Sequence, residues 1–106
     1  TIELLEKQTS NFDFNQNVAF VDLDKLQFPL TIRKWQNGDI FQPLGMNGRT
    51  KKLKDFFRQE KLSLHDKNAI WILESNHKIV WIIGLRGDER FKLNPNTEKV
   101  VKFSVG

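Results

Sequence analysis

His65 and His77 are the only imidazoles in the chain. His65 stands beside Asp66, a pair of residue types that could do acid–base work. Neighbouring residues on a strand face opposite ways, so the two are poorly placed to bond each other. His77 falls in Ser75-Asn76-His77, where a turn is expected, and a surface or turn histidine is the plainer reading of both. Asp39, Asp88 and Glu89 are candidate carboxylates. Asp88-Glu89 precede Arg90, which suits an ion pair better than proton transfer, and Asp39 after Gly38 suits a turn cap through its side chain. The sequence holds no Gly-x-Ser-x-Gly nucleophile motif and no Gly-x-x-x-x-Gly-Lys-Ser/Thr phosphate loop. It has no cysteine, which excludes a disulfide framework and a cysteine-ligated zinc site; no metal site is assigned. A cysteine-free chain fits a reducing cytoplasm.

Charge gives a stronger lead. Arg49, Lys51, Lys52, Lys54, Arg58 and Lys61 lie within thirteen residues, opposed only by Asp55 and Glu60, and this segment accounts for the whole net charge of +4. A concentrated basic patch on a neutral body fits a polyanionic partner, although many solvated helices look the same. Trp35 follows Arg33-Lys34 and could stack on a base, as aromatics beside basic residues can. Packing is the better reading for Trp35, and a core position is expected for Trp71 and Trp81 inside apolar strands.

These residues need a scaffold. A chain of 106 residues is the size of one domain. With 39% hydrophobic and 28% charged residues it reads as globular. No apolar run approaches the roughly 20 residues of a membrane helix, and no charged-then-apolar leader is present. A start at Thr1 rather than Met is read as an excised piece of a longer protein. Thr1 to Lys7 has helical spacing of Ile2 and Leu5, and Gln8 to Asn17 reads as a polar linker. Val18 to Val21 and the stretch after Pro29 to Lys34 read as strands. Asn37-Gly38-Asp39 marks a turn, and Pro43, Gly45 and Gly48 make Gln42 to Arg49 a structured loop. Leu53, Phe56 and Phe57 form one apolar stripe, which predicts a helix over Lys51 to Glu60 with Thr50 as its cap. A helix start behind a glycine-rich loop would offer free N–H groups to phosphate. Ala69 to Glu74 and Lys78 to Ile83 form a hairpin that is apolar on both faces, so both faces should be covered. Lys99 to Val105 alternates, with Val101, Phe103 and Val105 on one face. The sum is a β-rich α+β domain with one good helix.

Three ordered blocks carry a family resemblance. Residues Arg33 to Met46 hold Arg-x-Trp, then Gly-Asp, then Phe-x-Pro-Leu-Gly-Met. Gly48 to Phe57 is a basic run into Leu-x-Asp-Phe. Ile79 to Arg86, followed by Asp88-Glu89-Arg90-Phe91, closes the pattern. Together, over about residues 31 to 105, they resemble the C-terminal domain of tRNA(Ile)-lysidine synthetase. Ile40 and Lys67 depart from the family's usual residue types.

The resemblance implies a small sandwich-like α+β domain of one or two helices, shared with the phenylalanyl-tRNA synthetase β subunit. It implies that residues 31–106 form that domain and that 1–30 are a connecting segment with the first strand. The family's enzyme uses ATP, with Mg, to join lysine to the wobble cytidine of an isoleucine tRNA. That chemistry needs a Ser-Gly-Gly-x-Asp-Ser loop which this chain lacks, so the resemblance implies the non-catalytic, cytoplasmic, acceptor-stem-binding end, with no cofactor of its own. A-form RNA is read mainly through phosphates, 2′-hydroxyls and shape. The expected RNA contacts are Arg33, Lys34, Arg49, Lys51, Lys52 and Lys54, then Arg86 and Arg90. Gly38, Asp39, Pro43, Gly45 and Gly48 would shape the loop. The alternative is a module that packs on the catalytic domain of its own enzyme or on a homodimer mate, with an exposed apolar stripe near Trp35 and Phe41.

Overall fold

The computed structural model describes residues 1–7, 12 and 14–105. The first elements are β1 (Ile2–Glu6), β2 (Val18–Asp22), β3 (Leu30–Lys34), β4 (Ile40–Phe41) and β5 (Lys51–Lys52). Then come α1 (Leu53–Gln59), α2 (Leu64–Asn68), β6 (Trp71–Ser75), β7 (Lys78–Ile82), β8 (Arg86–Gly87) and β9 (Lys99–Ser104). Short 3-10 turns occupy Leu23–Lys25 and Glu89–Phe91. The strands form a three-stranded sheet in the order β1-β9-β2, a four-stranded sheet β3-β6-β7-β8, and the small β4-β5 ribbon.

The β6-β7 hairpin is the centre of the molecule. Asn76 and His77 both adopt left-handed backbone, φ 47° and 67°, in the two-residue loop between Ser75 and Lys78. On one face Leu73, Val80 and Trp81 pack against Val21, Val101 and Phe103 of the three-stranded sheet. On the other Ile72, Ile79 and Ile82 pack against Leu53, Phe56 and Phe57 of α1. Both faces are covered, one by a sheet and one by a helix. A bulge makes the division possible: pairing jumps from Leu73↔Trp81 to Glu74↔Ile79 and leaves Val80 over. Val80 and Trp81 therefore share a face, where strict alternation would separate them.

The structure corrects several expectations. Residues Ile2–Glu6 are a strand, paired with β9 from Ile2↔Phe103 to Glu6↔Lys99. A helix this short is marginal alone, and the edge of β9 satisfies its backbone instead. Helix α1 starts at Leu53, because Lys51 and Lys52 pair with Phe41 and Ile40. Its cap position is Lys52, not Thr50, and no side chain bonds there; the Leu53 N–H goes to the Asp39 carbonyl at 3.0 Å. His65 and Asp66 lie on α2 rather than a strand, where Asp66 and Ser63 form a reciprocal capping box. Trp71 is 46% exposed, since the three-stranded sheet does not reach over it, whereas Trp81 is in the core. Val105 lies past the end of β9 and is exposed. Of the expected linker 8–17, residues 8–11 and 13 lie outside the described residues.

Candidate nucleic-acid interface

The loop between β4 and β5 is shaped by backbone that L side chains rarely adopt. Gly45, Asn47 and Gly48 have φ of 89°, 55° and 80°. A Cβ on Gly48 would meet only the Gln42 Oε1, at 3.9 Å, so backbone conformation rather than space calls for glycine there. Asp39 closes the preceding turn: its carboxylate accepts the Gln36 N–H at 2.6 Å, and its own N–H goes to the Gln36 carbonyl.

The loop is tied down from the segment after β8. The Asp88 side chain is wholly buried. Its carboxylate accepts the Gln42 N–H at 2.8 Å, the Arg90 N–H at 2.8 Å, and the Arg90 Nε and Nη2 at 2.9 Å each. Glu89 donates its N–H to the Gln42 carbonyl at 2.7 Å, and Leu44 donates to Gly87 at 3.0 Å. The Glu89 carboxylate accepts the Gly45 N–H at 3.0 Å and pairs with Lys92. The ammonium of Lys92, then the Gly45 N–H, holds the Glu89 carboxyl below its ordinary value. Pro43 forms a bridge to Asp88. Two successive acids thus hold both ends of the Pro-Leu-Gly turn.

The basic residues after this loop differ in availability. Arg49, Lys52 and Lys54 are exposed, and no ion pair among the described residues holds them. Lys51 is half-buried and donates to the Gln59 side chain. Asp55 pairs with Arg58 at 3.5 Å rather than with Lys51. At the start of the seven-residue α1 the Leu53 N–H is engaged by the Asp39 carbonyl and is not free for a phosphate.

The remaining expected contacts each have a partner within the protein. The Arg33 guanidinium bonds both oxygens of Asp39, at 2.9 and 3.1 Å, and Glu74 at 3.0 Å. Lys34 sits 4.4 Å from the Trp71 ring centroid and donates to the Asn68 carbonyl at 3.0 Å. The Arg86 guanidinium lies 5.6 Å from the Phe56 ring, and Arg90 is fixed on Asp88. Trp35 packs edge-on to Phe57, with its Nε1–H on the Lys67 carbonyl at 2.7 Å, and Phe41 is buried. Trp35 and Phe41 themselves pack inward, while Ile32, Ile40 and Leu44, close to them in sequence, and Trp71 are exposed. The adjacency Asp88-Glu89-Arg90 signalled an ion pair; that Asp88 also anchors Gln42, 46 positions earlier, had no local signal.

Among the described residues, no group of three or more His, Cys, Asp or Glu is placed to hold a metal, and no helix is long and apolar enough to cross a membrane. Residues 30–103 match the family described as the TilS substrate C-terminal domain. The tRNA(Ile)-lysidine synthase of Parabacteroides distasonis is 45% identical over 94% of this chain, and that of Caldanaerobacter subterraneus 38% over 89%. The chain spans only 24% and 20% of those relatives. A crystal structure of a TilS C-terminal domain superposes with a TM-score of 0.81 at 24% identity, over 97% of this chain and 78% of that one. A phenylalanyl-tRNA synthetase β-subunit fragment from Pyrococcus horikoshii gives 0.66 at 17%, over 80% of this chain and 26% of that one. These two likenesses establish a shared α+β fold. With the family match running through the loop, the basic segment and the hairpin, the chain belongs to the TilS substrate C-terminal domain family.

Proposed function

We propose that this chain is the non-catalytic, tRNA-gripping C-terminal domain of a cytoplasmic tRNA(Ile)-lysidine synthase. On this reading it holds isoleucine tRNA on the acceptor-stem side. A catalytic domain elsewhere in the same protein uses ATP and Mg to join lysine to the wobble cytidine. The observation that carries the reading is the exposure of Arg49, Lys52 and Lys54, without an ion pair among the described residues, at the end of and just after a loop whose backbone is pinned by Asp88 and Glu89. Lysine and arginine side chains on a rigid support supply phosphate contacts that fix position without reading sequence, which is what an A-form stem asks of a protein. Arg33, Arg86 and Arg90 support that platform through their internal partners. The test is binding of tRNA(Ile) to the chain and to Arg49/Lys52/Lys54→Glu. The reading expects the triple variant to fold and to lose binding; equal binding by both would refute it.

A second reading has its own observation. Ile32 is 62% exposed and Trp71 46% exposed, on adjacent strands of one sheet. That pair would suit packing against the rest of the enzyme or a homodimer mate, alongside tRNA binding or in place of it.

A further inference from the structure

Away from the basic loop, at the turn end of the β6-β7 hairpin, lies a polar hollow of about 320 Å³. Lys25, Lys78 and Arg90 line it together, from three segments far apart in sequence: the Leu23–Lys25 turn, the start of β7 and the Glu89–Phe91 turn. Two of these cations are held in place. The Lys25 ammonium donates to the Lys92 carbonyl at 2.9 Å, and Asp88 grips the Nε and Nη2 edge of Arg90. Lys78 is exposed, with no ion pair among the described residues. The Arg90 Nη1 makes no hydrogen bond within the described part of the chain, so one edge of its fork stays free. The Ser75 hydroxyl in the wall is spent on the backbone of Gln27, donating at 3.1 Å and accepting at 2.8 Å. Asp24 is the one opposing carboxylate among the lining residues.

We propose that this hollow binds a phosphate group, gripped by the free guanidinium edge of Arg90 and by the ammonium groups of Lys25 and Lys78. A guanidinium fixed on a buried carboxylate keeps planar donors at no further ordering cost, and two lysines add charge without demanding geometry. Asp88 offsets much of the arginine's charge, so the affinity for a lone ion is modest. The site joins the basic loop through one carboxylate: the Asp88 Oδ2 accepts both the Arg90 Nη2–H and the Gln42 N–H. The phosphate can come from an RNA backbone, in which case the proposal rests on the tRNA-binding function proposed for the basic loop, or from a free anion, in which case it does not.

Amide spectra of the 106-residue chain, titrated with inorganic phosphate at constant ionic strength against chloride, test this directly. The expected result is a saturable shift at Asn76, Lys78 and Arg90 with a millimolar midpoint, weakened on the order of fivefold in Lys78→Glu. Lys78→Gln, with a smaller loss in the same direction, guards against a misfolded charge reversal. A second arm adds a short RNA duplex. Movement of the same amides, reversed by phosphate, identifies an RNA phosphate; phosphate shifts untouched by the duplex identify a free-anion site. Shifts that do not saturate, or that persist unchanged in both Lys78 variants, overturn the proposal. A duplex that binds nowhere on the chain would count against the tRNA reading while leaving the phosphate result to stand.

Discussion

The buried carboxylate of Asp88 accepts the backbone N–H of Gln42 at 2.8 Å, joining two loops 46 residues apart. The same group neutralises Arg90. Removing it strips a part-buried N–H and a guanidinium of their partner at once. Asp88→Ala is therefore expected to cost about 3 kcal/mol, and to speed hydrogen exchange at Leu44 and Gly45. Denaturant unfolding with amide exchange checks both, and an unchanged midpoint would mean that Asp88 does not anchor the loop.

Glu89 gives the loop a pH dependence whose sign is fixed. Its folded carboxyl lies below the ordinary value of 4.5 because Lys92 and the Gly45 N–H favour the charged form. The unfolded chain then binds more protons in acid. The stabilisation is fully present above 4.5 and is lost as pH falls through the lower folded value. Melting of the wild type and Glu89→Gln should differ at neutral pH and converge in acid; a gap that widens in acid would contradict the assignment.

Gly45 separates backbone strain from space. Its φ is 89° and nothing lies within 4 Å of a Cβ built there. Gly87 is equally open but has no left-handed backbone. Gly45→Ala should cost about 1 to 2 kcal/mol and Gly87→Ala close to nothing. Thermal melts of the two variants decide it, equal losses being the contrary result.

Trp71 and Trp81 lie in neighbouring strands and differ sharply in burial, at 46% and 3% exposed. Trp81→Ala is expected to cost about 3 to 5 kcal/mol, and Trp71→Ala well under half of that. Acrylamide should quench the fluorescence of Trp71 and spare that of Trp81. The reverse order of either measurement would mean that the three-stranded sheet extends over Trp71.

The hairpin, the Gly-Pro loop and the α1 stripe were readable in the sequence because local composition sets them: runs apolar on both faces, residues that tolerate positive φ, and a 3-4 spacing. What escaped was decided by distant partners. Ile2–Glu6 looks helical in isolation and becomes a strand because β9 offers it an edge. Lys51 and Lys52 leave the helix because Ile40 and Phe41 pair with them. Arg33 looked available for RNA, yet Asp39 and Glu74 take its guanidinium, the second 41 positions away. Trp71 was assigned to the core by its neighbours, and its exposure depends on where another sheet ends. The candidate site was legible as a cluster of charge; which members are free became visible only once their partners were placed.

The proposed function stands on Arg49, Lys52 and Lys54 as the RNA grip. Affinity of the chain for tRNA(Ile) across a salt series, beside the three single charge-removing variants, tests that grip at its source. Removing one phosphate-binding cation should weaken binding and flatten the log–log salt slope by about 0.7 to 0.9. Arg49→Gln, Lys52→Gln and Lys54→Gln should each do so, while Lys61→Gln, outside the group, should not. Binding whose slope is the same in all four variants would show that the grip lies elsewhere on the domain.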